Sequence, residues 1–137
     1  MSLLSDLLEA PKDLSPASKY TLANGLLYLA CGLIIMIWPG IAQAVFGESE
    51  FSAHEEGLAR VIGMLTIVVG WLYAFGGRTG GRQFVAATIV DRICLVPFAL
   101  GSVAMTGVFP RMLLTFAVLD PALAIGAWLL LRKTRRN

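Results

Sequence analysis

A chain of 137 residues that is 57% hydrophobic and only 15% charged, with a mean hydropathy of +0.75, lies outside the soluble globular range, where about a quarter of residues are charged. The length suits one domain and leaves no room for a separate soluble catalytic module. Net charge is +2, from 11 basic and 9 acidic residues, with no basic stripe interleaved with aromatics, which excludes nucleic acid as a partner.

Residues 1–15 lack the basic n-region and long apolar core of a cleavable signal peptide. Leu3, Leu4, Leu7 and Leu8 recur at helical spacing, with Ser5, Asp6 and Glu9 opposite, until Pro11 stops the run. This pattern predicts a short amphipathic helix, lying in the membrane interface or packed against the protein's own base or a partner. Ser15-Pro16 reads as an N-cap and first-turn proline, opening a first span over about 16–38 that Pro39-Gly40 ends. Tyr20, Asn24 and Tyr28 form a polar stripe along it, suited to hydrogen bonds between helices. Gly25 and Gly32 allow close approach of another helix.

Residues 39–54 form the one sizeable loop, with a short interfacial turn expected at 41–46 and an acidic stretch from Glu48 to Glu56. Its spacing matches no metal-ligand motif, and Glu55 and Glu56 suit a helix N-terminus. The second span is expected over 56–76. It carries Arg60 four residues after Glu56, a spacing for an ion pair, and a seam of small residues at Ala59, Gly63, Thr66 and Gly70. Trp71 and Tyr73 read as an interfacial aromatic belt. The Gly-rich segment 76–82 is expected to be a basic turn. The third span, about 82–107, holds Asp91-Arg92 at mid-length, and Pro97 predicts a kink with a freed Ile93 carbonyl. The fourth, about 110–131, holds Asp120-Pro121, and a basic tail, 132–137, follows. Cys31 and Cys94 sit in apolar runs without CxxC spacing and read as free thiols.

Each run is long enough to cross a hydrocarbon core of about 30 Å. The fold class is therefore all-α, an integral membrane four-helix bundle with a short N-terminal amphipathic helix. Arg78, Arg82 and the basic tail fall on one side and the acidic loop on the other, so the positive-inside rule puts both termini in the cytoplasm. At about 1.5 Å per residue, Asp91, Arg92 and Asp120 all lie near mid-membrane. Charges at that depth are costly and must pair. Arg92 with Asp120 is the expected pair; Arg60, Tyr28 or Asn24 is expected to serve Asp91.

Four short spans, Gly-Leu-Ala-Arg-Val-Ile-Gly at 57–63, Asp91-Arg92 and Asp120-Pro121 together resemble the DoxX-like group of small bacterial membrane proteins. The resemblance runs from Pro16 to Leu131. It implies a four-helix bundle in a bacterial inner membrane, carries over Arg60, Arg92 and Asp120 as polar-core positions, and brings in quinone or thiol redox chemistry as a known association of the group.

The sequence supports a non-enzymatic binding or accessory subunit for a small amphipathic molecule, a quinone or lipid, or for a larger membrane complex. The alternative is a proton-coupled transporter or channel acting as a homo-oligomer. No nucleophile–base constellation supports an enzyme, no metal set is present, and a cofactor is not specified. The candidate polar-core residues are Arg60, Asp91, Arg92, Asp120, Glu56, Tyr28 and Asn24.

Overall fold

Each long apolar run becomes one helix, and side-chain caps set the starts of two of them. In the computed structural model, which describes residues 3–9 and 11–133, every regular element is a helix. These are α1 (Leu3–Leu8), α2 (Pro16–Ile37), α3 (Gly40–Phe46), α4 (Ala53–Arg78), α5 (Arg82–Ala104) and α6 (Pro110–Lys133). Four of them, α2, α4, α5 and α6, are long and apolar enough to cross a membrane, which marks the chain as an integral membrane protein.

Ser15 caps α2 by accepting from the Ser18 amide at 3.1 Å, and Pro16 occupies the first turn, where its missing N–H is no loss. The expected start of the second span at 56 moves back to Ala53 because Ser52 and Glu55 form a reciprocal capping box. The interfacial turn expected at 41–46 is a helix, α3, closed by Gly47 in the left-handed conformation at φ 69°. The third span ends at Ala104, short of the expected 107, and the fourth extends to Lys133. Residues 134–137 of the basic tail lie outside the described residues. So do the side chains of Leu4, Ser5 and Asp6, on which the expected amphipathic face of α1 depends. The Leu8 carbonyl at the end of α1 accepts from Arg78 Nη2 at 2.8 Å, which ties this segment to the base of α4.

Helices α2 and α4 form the tightest pair, with the α5–α6 pair next; α2–α6 and α4–α5 contacts close the bundle, the latter sparse. Backbone contact through glycines explains the first. A Cβ on Gly25 would lie 2.3 Å from the Ala74 amide nitrogen, one on Gly32 2.6 Å from the Gly63 carbonyl, and one on Gly77 2.7 Å from the Leu22 nitrogen. Gly25 and Gly32 on α2 thus oppose Gly63, Gly70 and Gly77 on α4 at seven-residue spacing, the small-residue packing that substitutes for a hydrophobic driving force between helices in lipid. Gly76 and Gly77, expected in a turn, are helical; Gly77 belongs to this seam and Gly76 accommodates the Phe84 ring. Across the bundle, Tyr20 lies against Gly126 of α6.

Helix α5 continues past Pro97 to Ala104, with a π-turn just before the proline. Residues Asp91–Leu95 form a π-turn, in which the Val96 amide donates to the Asp91 carbonyl. Pro97 supplies no N–H, and one extra residue in the preceding turn absorbs the defect without breaking the helix. Pro121 sits inside α6 and likewise has no N–H for the Ala117 carbonyl.

Two apolar clusters plug the bundle. One groups Ile35, Ala59, Phe109, Met112 and Leu113 near the 38–52 loop; the other groups Ala17, Val85, Ile89 and Ala127 near the opposite end. The loop end is tied by Glu48 Oε1, which accepts from the Met112 amide at 2.7 Å, and by Arg111, which donates to the Gly47 carbonyl. Phe109 adopts φ 41°, held there by burial of its ring 4.9 Å from that of Phe51.

Candidate functional site: a polar layer opening into a lateral groove

Between the two apolar clusters, one side chain from each spanning helix meets in a polar layer: Tyr28 of α2, Tyr73 of α4, Arg92 of α5 and Asp120 of α6. Arg92 is fully buried and donates from Nε to Asp120 Oδ1 at 2.8 Å. Tyr28 donates its hydroxyl proton to the same Oδ1, and Arg92 Nη2 lies 3.5 Å from the Tyr28 oxygen. The guanidinium carbon sits 5.7 Å from the Tyr28 ring centroid and 5.2 Å from that of Tyr73. Those two rings meet edge to face at 5.8 Å. The cation is therefore neutralised by one carboxylate and flanked by two π-faces, which offsets its desolvation in a way a lone arginine could not achieve. Arg92 Nη1 and Asn24 Nδ2 are the buried side-chain donors left without a hydrogen-bond partner among the described residues.

Asp91 and Arg92 point about 100° apart, as helical neighbours do. Arg92 faces α6 and α2; Asp91 faces α4, where Tyr73 donates to its Oδ2 at 3.3 Å. This corrects two expectations. Arg60 does not approach Asp91. It donates from Nη1 to the Met36 and Ile37 carbonyls at 2.6 and 3.3 Å, capping the negative end of α2. Tyr28 serves Asp120 rather than Asp91. Glu56 is exposed and makes no ion pair with Arg60; among the described residues the one salt bridge is Arg92–Asp120. Cys31 and Cys94 are free.

Asp91 and Asp120 both reach a cavity of about 360 Å³ between α4 and α5. Its walls are apolar, with Ile62, Leu65, Val69, Leu95 and Ala99 among them, and its polar residues are Tyr28, Thr66, Tyr73 and the two aspartates. Leu65 and Leu95 are more than half exposed, so the cavity opens sideways along the apolar surface. Sparse contact between α4 and α5 leaves this space. The shape is that of a groove with a polar inner end and an apolar mouth, the combination typical of small-molecule sites.

Tyr73 is the site residue that sequence reasoning assigned elsewhere, to an interfacial belt. Its signal was present: it falls three residues after Gly70 and four before Gly77, hence on the face of α4 that packs against α2. No family model, no curated protein and no solved structure matches this chain.

Proposed function

We propose that this protein binds one small amphipathic molecule, taken laterally from the bilayer into the α4–α5 groove, and that it works as a non-enzymatic binding or accessory subunit. The observation that carries the reading is the groove itself, a 360 Å³ space with apolar walls open along the lipid-facing surface and with Asp91, Asp120 and Tyr28 at its inner end. A lipid or a quinone-like compound has the matching division into head and tail. The wider reading, a DoxX-like protein of a bacterial inner membrane, rests on the resemblance at Arg60, Arg92 and Asp120. The N-in, C-in orientation rests on Arg78, Arg82, Arg132 and Lys133 at one end against Glu50, Glu55 and Glu56 at the other.

Native mass spectrometry of protein extracted gently with its own lipids tests the binding reading. Wild type is expected to carry a specific adduct, and Ala99→Trp, which fills the groove without touching the charged layer, is expected to lose it. An adduct retained in Ala99→Trp, or none in wild type, refutes the reading.

A further inference from the structure

The groove's hydrogen-bond inventory is unbalanced. The three hydroxyls on its lining all donate within the protein: Tyr28 to Asp120, Tyr73 to Asp91, and Thr66 to the Ile62 carbonyl at 2.8 Å. Arg92 is wholly buried and is not on the lining. What remains for an occupant is acceptors, chiefly the carboxylate oxygens of Asp91 and Asp120. Charge is unbalanced in the same direction. Arg92 compensates Asp120, and Arg60 is committed to the end of α2. Among the described residues Asp91 pairs with no cation and has one hydrogen-bond partner, the Tyr73 hydroxyl at 3.3 Å. A carboxylate at this depth is costly unless a cation joins it.

We propose that the groove selects an amphiphile with a protonated amine head, whose ammonium donates to Asp91 and to the open oxygen of Asp120 while its chain lies along Leu65, Val69 and Leu95. This rests on the groove-binding reading above and narrows it. A quinone carbonyl or a phosphate offers acceptors and meets no free donor on the groove lining, since the unpartnered Arg92 Nη1 and Asn24 Nδ2 are buried off it; an anionic head also meets Asp91 at close range. An ammonium supplies three donors and the missing positive charge.

The test uses the full-length protein in nanodiscs of neutral phosphatidylcholine, with dodecylamine, dodecanol and dodecanoate as probes at neutral pH. Groove occupancy is the binding that Ala99→Trp removes; binding that persists in that variant is partition into the bilayer. Dodecylamine is expected to occupy the groove roughly tenfold or more tightly than dodecanol, the scale of a hydrogen bond to a charged group, and dodecanoate least of all. Asp91→Asn is expected to erase the difference between amine and alcohol. Groove occupancy without an amine preference in wild type, or a preference that survives Asp91→Asn, overturns this proposal and leaves the groove intact. No groove occupancy by any probe overturns both.

Discussion

The glycine seam between α2 and α4 makes a quantitative prediction about a single methyl group. A Cβ on Gly70 would lie 2.6 Å from the Leu29 nitrogen and 2.8 Å from the Gly25 carbonyl oxygen, both backbone atoms that no rotamer change can move. Both distances are about 1 Å inside the ordinary contact optimum, so the helices must separate. Overpacking of this kind costs about 1–3 kcal/mol. The gain in helix propensity from Gly to Ala, about 0.5–1 kcal/mol, offsets only part of it. Gly70→Ala is thus expected to destabilise by about 1–2 kcal/mol net. Gly101 in α5 is the matched control, because a Cβ there meets nothing within 4 Å. Gly101→Ala is expected to be neutral or to stabilise by up to about 1 kcal/mol. The assay is unfolding of both variants in the same mild detergent, followed by tryptophan fluorescence. Separation of the helices also pulls apart Tyr28 and Tyr73, which stand three residues beyond Gly25 and Gly70 and flank Arg92. Gly70→Ala is therefore expected to loosen the polar layer as well. Equal stability of Gly70→Ala and Gly101→Ala would refute the seam.

Arg92→Met alone is expected to cost about 3–5 kcal/mol, because it strands the Asp120 carboxylate; Arg92→Met with Asp120→Leu is expected to recover most of that loss in the same unfolding assay. Asn24 keeps a buried amide donor without a partner, so Asn24→Leu is expected to raise stability by about 1 kcal/mol or more, and a loss of stability would show that the amide is satisfied. In a background with Cys31 and Cys94 replaced by alanine, Ser49→Cys is expected to react with an impermeant maleimide on intact cells and Thr79→Cys only after lysis; the reverse pattern overturns the orientation.

The four spans were legible because a run of about 20 apolar residues has few alternatives. The Arg92–Asp120 contact follows from depth alone, since two opposite charges at mid-membrane on sequential helices have little else to meet. Partners set by the seam were not legible. Glu56 and Arg60 stand at ion-pair spacing, yet the antiparallel packing of α2 on α4 puts the Met36 and Ile37 carbonyls within reach of Arg60, and those win. Gly76-Gly77 reads as a turn because glycine usually marks one; here Gly77 permits backbone approach to Ser18 and Leu22. At Ser52-x-x-Glu55 the capping-box signature was in the sequence and places the start of α4 three residues earlier than expected. Pro97 announces a missing donor, but nothing in the local sequence announces the extra residue of the π-turn before it.

That added residue leaves a trace along α5. Up to the first turn of the π-segment the inward positions are Val85, Thr88, Ile89 and, within it, Arg92; after it they are Val96, Pro97, Leu100 and Ala104, each one place later than an uninterrupted helix would put them. The two halves of α5 are out of phase by one residue, about 100° of rotation. Without the slip, Leu95, Ala99 and Val103 would turn toward the bundle and Leu100 away from it. The groove wall would then be a packed seam, so the space beside Asp91 depends on a single residue's worth of frame shift in α5.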